Sequence, residues 1–257
     1  MNDRTNNRRQ FVKNTTTALG FLSLPGLLQA GVTGRVEKKK IVCVGGHPDD
    51  PESGCGGTLA KLANAGHTVT AIYLTTGDAG IKGKSHIEAA AVRKQEAINA
   101  CRILQVKPVF AGQVDGDTVF NNEWVGKLAQ LIAWEQPALV FTHWPLDTHK
   151  DHQVASLLTM QVWNQSEQKY PVYFFEVCAG EQTIGFHPTD RVDITEVQEQ
   201  KRKALYCHVS QDPPGIYNCG HAAMETFRGK EMGVKAAEAF VKMGGNHLGG
   251  HGLEQLL

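Results

Sequence analysis

The stretch KIVCVGGHPDDPESGCGGTLAKLANAGHTVTAIYLTT, residues 40–76, decides the fold. Its ends, KIVCVGG (40–46) and TVTAIYLTT (68–76), are apolar runs that read as buried strands. Between them, LAKLANAG (59–66) reads as a helix ended by Gly66. Strand, helix and strand in one short segment make a β-α-β unit, which implies parallel strands and a right-handed crossover.

The same alternation continues along the chain. HIEAAAVRKQEAINACRIL (86–104) carries Ile87, Ala91, Ala97, Ile98, Cys101 and Leu104 at helical spacing, so these residues are expected to face the sheet. VGKLAQLIAW (125–134) repeats the pattern before a strand at ALVFTHW (138–144). Further strands are expected at VYFFEV (172–177) and RVDIT (191–195), then a polar helix from about Val197 to Tyr206. Such alternation predicts an α/β fold of three layers, Rossmann-like, with a mostly parallel sheet. In sheets of this kind ligands collect at the carboxyl ends of the strands. The catalytic domain is expected over residues 38–245, with no internal repeat, and the glycine-rich segment 246–257 reads as a flexible tail.

Composition narrows the choice of partner. At 257 residues, with 41% hydrophobic and 20% charged, the chain suits one globular domain with a self-sufficient core. Lys plus Arg equals Asp plus Glu at 26 each, so nothing argues for a nucleic-acid or membrane-surface partner. Residues 1–30 differ in kind: Arg8 and Arg9 precede a modestly apolar stretch that closes at Ala30, the pattern of a twin-arginine export signal. Thr15, Thr16, Thr17, Ser23 and Pro25 interrupt that stretch, which falls short of the roughly 20 apolar residues a membrane span needs. The expectation is therefore an exported, periplasmic protein with no stable membrane span after signal removal. Cleavage after Ala30 would leave Leu28 at the minus-three position, a poor match to the usual small residue. Homo-oligomerisation is left open.

Six cysteines, at 43, 55, 101, 178, 207 and 219, show no C-x-x-C spacing, so neither a zinc knuckle nor a redox pair is indicated. They are compatible with disulfides in an oxidising compartment, with no connectivity legible. Cys43 and Cys101 lie in apolar patterns and read as small buried hydrophobes.

Two unusual loops carry the chemistry. His47, Asp49 and Asp50 follow the first strand, and HWPLDTHKDH places His143, Asp147, His149, Asp151 and His152 after the strand at 138–144. Carboxyl ends of parallel strands share one edge, so the loops can meet. His47, Asp50 and His152 then form a two-histidine, one-carboxylate metal set with room for water. Asp49, pointing away from Asp50 along an extended backbone, is placed to act as base. The chemistry fits amide hydrolysis, in which zinc lowers the pKa of its water to about 7 and polarises the carbonyl. His149 would serve as acid or oxyanion partner. Asp147 and Asp151 read as orienting or turn residues, His143 as a plain strand-end side chain, and His247 and His251 as solvated.

Residues 40 to about 242 resemble the LmbE-like, or PIG-L, family of zinc-dependent N-acetylglucosamine deacetylases. The family signature is H-P-D-D-E followed by G-G-T-L and a later H-x-D-H, and this chain has HPDDPESGCGGTLAKL and THKDH. The likeness extends to TVTAIYLTTGDAG, RKQEAINACRIL, VDG (114–116), KALYCHVSQ and GKEMGVKAAEAF. It implies His47, Asp50 and His152 as ligands of zinc, with Fe2+ the alternative ion, Asp49 as general base and His149 as its electrostatic or acid partner. It also implies Arg93 and Asp115 as substrate-binding residues and an amino sugar or glycoconjugate as substrate. Two plainer readings compete: Arg93 could form a surface pair with Glu96 three residues on, and Asp115-Gly116 is good turn chemistry. His208 matches a family patch without an assigned role. One departure is visible, since Pro51 stands at the family's usual glutamate and Glu52 follows it.

Other readings weigh less. GDAGIKGKS (77–85) has Asp78 where a phosphate loop needs its first glycine, and GCGGTL has Leu59 where a dinucleotide fingerprint needs its third. Two histidines and a carboxylate also define non-haem iron oxygenases, but the extra base Asp49 and the open sheet favour hydrolysis. An exported metal- or glycan-binding protein without catalysis is the remaining alternative.

Overall fold

Strands of alternating inward and outward residues, buried on both faces, organise the molecule. The computed structural model describes residues 37–177, 182–244 and 252–257, and residues 36–257 form one compact unit. The export stretch, Cys178, His247, His251 and the side chain of Cys219 lie outside the described residues.

In chain order the elements are β1 (Lys40–Gly45), α1 (Asp50–Asn64), β2 (Thr68–Thr75), α2 (His86–Leu104), β3 (Lys107–Gln113), α3 (Asn122–Glu135), β4 (Leu139–His143) and α4 (Lys150–Gln165). There follow β5 (Val172–Phe175), β6 (Asp190–Asp193), α5 (Gln198–Leu205), α6 (Pro213–Ile216), a π-helical turn (Tyr217–His221), α7 (Ala222–Met232) and β7 (Ala237–Lys242). The sheet order is β3-β2-β1-β4-β5-β7-β6. The first five strands run parallel, and β7 pairs antiparallel with both β5 and β6.

The period of two along each strand sorts side chains into two cores. Ile41 and Cys43 of β1, Tyr73 of β2 and Phe141 of β4 face one layer with Leu59, Ala97, Leu104 and Ala204 of α1, α2 and α5. Val42, Val44, Ile72 and Val140 face the other with Val125, Leu128, Leu158 and Val162 of α3 and α4. Burial on both faces explains why these strands read as continuous apolar runs instead of alternating ones. The order also fixes the place of the site: β1 passes to β2 on one side and the chain returns to β4 on the other. The crevice between β1 and β4 is the switch point, open at the strands' carboxyl ends.

Three expectations are corrected. The α2 bounds match, because Ser85 and Glu88 close a capping box at its start, but its buried face is Ala89, Arg93, Glu96, Ala97, Ala100, Cys101 and Leu104. Ile87 is 84% exposed and Ala91 is also exposed. Asp49 is not extended; it stands at φ 104° as the N-cap of α1, which starts at Asp50, nine residues before the expected helix. Residues 252–257, assigned to a loose tail, are docked. Leu253 and Leu256 are buried, the Leu253 N–H donates to the Tyr173 hydroxyl at 3.2 Å, and His67 Nε2 lies 2.9 Å from the Leu256 carbonyl. Cys43 and Cys101 are buried as expected, and with Cys55 and Cys207 they are free thiols.

Candidate metal centre and active site

The site is built where β1 and β4 end. Past β1, Gly46 donates its N–H to His143 Nε2 at 3.0 Å, and a Cβ on Gly46 would lie 3.1 Å from His152 and 3.2 Å from Asp50 Oδ2. Only a residue without a side chain leaves this close approach unhindered. The chain then turns through Pro48 and Asp49 into α1. Pro51 occupies the first helical turn, where its missing N–H goes unmissed. Glu52 supplies the cap one residue later, accepting the Asp49 N–H at 3.2 Å and the Tyr73 hydroxyl at 2.6 Å. The substitution at the signature's glutamate thus leaves the loop well held.

Asp50 is the hub. Its Oδ2 accepts the His47 backbone N–H at 2.6 Å, and its carboxylate lies 3.2 Å from each of His47 Nδ1, His143 Nε2 and His152 Nε2. Donor atoms sharing one tetrahedral ion at about 2.0–2.1 Å sit about 3.3 Å apart, so this spacing suits a divalent cation. The rings of His47 and His152 have centroids 5.3 Å apart, within reach of a common ion. Each ring is braced from behind. His47 Nε2 faces Asp151 at 3.0 Å and Asp115 at 3.2 Å, and His152 Nδ1 faces Asp147 at 3.2 Å. Asp151 is itself fixed by Gly116 N–H at 2.7 Å and the Thr118 hydroxyl at 2.6 Å. Carboxylates behind metal-ligating imidazoles set the tautomer and raise ligand basicity.

Three overlapping groups could hold an ion by proximity: His47, His149 and His152; Asp50, His143 and His152; and His47, Asp115 and Asp151. Chemistry separates them. The His143 Nε2 lone pair is taken by the Gly46 N–H, and Asp115 and Asp151 meet the far nitrogen of His47. What remains facing Asp50 is the Nδ1 of His47 and the Nε2 of His152.

The electrostatics carry the same message. Burial raises the Asp49 carboxyl and Asp50 raises it further, while Arg93 pulls it down, leaving it above the usual carboxylate range. Burial also opposes ionisation of Asp50, but the imidazoles of His152, His143 and His47 hold it well below that range. Burial works against charge on His47 and His152 too, yet the surrounding carboxylates win, raising His47 well above its ordinary value and His152 to about 9. His143, deep under the site, is pushed down to about 4 by burial and by His152. Protonated rings here stand in for a cation that the carboxylates call for.

His149 caps α4, its Nδ1 accepting the Asp151 N–H at 3.2 Å, so in the neutral ring the proton sits on Nε2. Burial and the charge of His47 lower its pKa. Arg93 is 3% exposed, and its Nη2 donates to the Pro48 carbonyl and to Asp49 Oδ2, the latter at 3.2 Å. Glu96 turns elsewhere, accepting the N–H and hydroxyl of Ser210 at 2.7 Å each, which removes the surface-pair reading. Asp115 does sit in a turn, with Gly116 at φ 77°, and it also lies against His47 and accepts the Ala79 N–H at 3.1 Å. All seven site residues read from the sequence line one cavity of about 460 Å³.

Some contributors escaped the sequence. His143 read as a plain strand end, yet it is fully buried and stacked 4.0 Å from His152. His208 faces Glu52 at 3.3 Å, and Gln211 and His221 line the cavity. The only signal for His208 and Gln211 was the CHVSQ patch, which carries no chemistry by itself.

With fold and site in view, the comparisons with known proteins fall into place. Residues 42–163 match the PIG-L family, described as GlcNAc-PI de-N-acetylase, and the chain belongs to that family. It is similar to the diacetylchitobiose deacetylase of Thermococcus kodakarensis, 29% identical over 221 residues, covering 78% of this chain and 81% of that one. Among solved structures, the N,N'-diacetylchitobiose deacetylase of Pyrococcus horikoshii superposes with a TM-score of 0.73 at 27% identity, over 80% of this chain and 84% of the other. A conserved protein of Thermus thermophilus gives 0.69 at 30% identity, over 80% and 94%.

Proposed function

We propose that this protein is a metal-dependent hydrolase that removes an N-acetyl group from an amino sugar or its conjugate. The observation that carries the proposal is a hub carboxylate, Asp50, shared among imidazoles at ion-sharing distance, with a second carboxylate, Asp49, on the same cavity. The names of the relatives support the acyl group and the sugar. His47, Asp50 and His152 would hold the ion, zinc by the donor set with ferrous iron as the alternative. When bound, it supplies a Lewis acid that polarises the amide carbonyl and acidifies water.

The chain's own groups move the protons. Asp49, kept ionised by Arg93, accepts a proton from the attacking water. His149 presents its Nε2–H to the developing oxyanion, and the proton taken up by Asp49 passes to the departing nitrogen as the C–N bond breaks. Acetate and a free amine result. Asp115 and Arg93 face the sugar hydroxyls.

The test is acetate release from N-acetylglucosamine and N,N'-diacetylchitobiose, with and without chelator, alongside metal analysis and oxygen uptake. Chelator-sensitive acetate release with one metal per chain is expected; oxygen-dependent turnover without deacetylation would replace the reading with an iron oxygenase. Export through the twin-arginine route is part of the proposal, supported by the Arg8-Arg9 stretch. A reporter fused to residues 1–35 that stays cytoplasmic would remove it.

A further inference from the structure

We infer that Gly80, Arg93 and Gln211 form a subsite for a hydroxyl group of a neutral sugar ring, so that this wall of the cavity selects uncharged amino sugars. The inference rests on the deacetylase reading above and deepens it.

Arg93 is the first observation. Its Nη2 is committed to Pro48 and Asp49, but its Nε and Nη1 are buried with no hydrogen-bond partner among the described residues. Leaving charged donors unsatisfied in a buried place costs stability unless a ligand completes them. Arg93 lines the cavity, so a ligand can.

Gln211 is the second. Its Nε2 donates to the Gly80 carbonyl at 3.1 Å and lies 3.0 Å from the Ser210 hydroxyl. A carbonyl partner requires the amide nitrogen there, which turns Oε1 the other way as an acceptor. The segment is not loose, because Ser210 is clamped to Glu96 by two bonds of 2.7 Å. Glu96 lies one helical turn beyond Arg93, so α2 positions both halves of the subsite.

Gly80 is the third. A Cβ built on it would lie 3.7 Å from Arg93 Nη1 and 3.7 Å from Gln211 Oε1. Donor and acceptor therefore flank one small space that the missing side chain keeps open. A hydroxyl is the group that accepts from one and donates to the other at once. An anion would satisfy Arg93 but meet the Gln211 carbonyl oxygen and the nearby carboxylates of Asp49 and Asp115, which makes a phosphorylated or carboxylated sugar the poorer fit.

The experiment compares wild type with Gln211→Leu and Gly80→Val on N-acetylglucosamine, its 3-, 4- and 6-deoxy derivatives, and its 6-phosphate. Gln211→Leu is expected to raise KM for the parent sugar roughly tenfold with kcat within about twofold, the scale of one hydrogen bond. Gly80→Val should raise KM further by filling the space. One deoxy sugar should lose a similar factor with wild type and nothing more with Gln211→Leu, a coupling that general damage to the fold would not produce. Equal losses on every deoxy sugar, an unchanged KM, or a 6-phosphate preferred over the parent would overturn the inference while leaving deacetylation standing. No acetate release by wild type from any of these sugars would overturn both.

Discussion

Replacing Asp49 by asparagine separates its assigned role from every neighbouring one. The substitution keeps the volume and one oxygen that Arg93 Nη2 can reach at its present 3.2 Å, so α1 and its cap are retained. It removes the ability to take a proton. General-base catalysis contributes roughly two to four powers of ten, and turnover is expected to fall by that factor. Metal content should remain at the wild-type level, because Asp50 and not Asp49 faces the imidazoles of His47 and His152. A companion change gives the sign on the pH axis. A base works when deprotonated, so activity should climb as pH rises through the Asp49 pKa, which burial has already raised and Arg93 holds down. Arg93→Met removes that restraint and should move the acid limb of the kcat/KM profile to higher pH. Metal analysis and initial rates of acetate release across pH check both. Loss of the ion together with activity in Asp49→Asn would place Asp49 among the ligands, and an acid limb shifted downward in Arg93→Met would refute the electrostatic reasoning.

Further outcomes follow from the same contacts. Lys201 is 1% exposed between Glu225 at 2.8 Å and Glu238 at 2.7 Å, so Lys201→Met strands two buried carboxylates. The loss should be about 3–5 kcal/mol, seen in calorimetry as a fall in Tm of roughly 6–20 °C; a shift under about 2 °C would contradict it. Asp147→Asn weakens the brace behind His152 and should reduce metal affinity by roughly 10–100-fold in a competition titration, against no change if Asp147 only shapes its turn. In the metal-free protein His47 and His152 both hold protons at neutral pH, with His152 raised to about 9, and metal entry must expel them. Calorimetry at about pH 7 in buffers of different ionisation enthalpy should detect proton release, and affinity should fall as pH falls; pH-independent binding would be the contrary result.

The parallel core was legible because strands buried on both faces spell themselves out, as KIVCVGG and TVTAIYLTT do. The first turn of α1 was not, because His47 to Gly57 is written for the site and offers no apolar period. The same holds for α4, whose opening Lys150, Asp151 and His152 serve the centre before Val154 begins the buried stripe. β3 opens with Lys107 and Pro108, poor strand residues suited to a sheet edge, and β7 is AEAFVK, helix-favouring in part and made a strand by β5 and β6. The α2 face was misjudged because period counting follows apolar residues, whereas Arg93 and Glu96 are buried for their bonds. Asp49 departed from the extended form because it caps a helix that starts earlier than the pattern suggested. The candidate ligands were found through spacing and motif; His143 was hidden because a histidine ending a strand looks alike whether solvated or buried.

The central claim is one ion shared by His47, Asp50 and His152 beside Asp49. Crystals grown with zinc, measured on both sides of the zinc absorption edge, test it directly. One anomalous peak within about 2.0–2.3 Å of His47 Nδ1, an Asp50 oxygen and His152 Nε2 is the result the account requires. A peak held by Asp115 and Asp151, or none at a zinc concentration that supports activity, would contradict it.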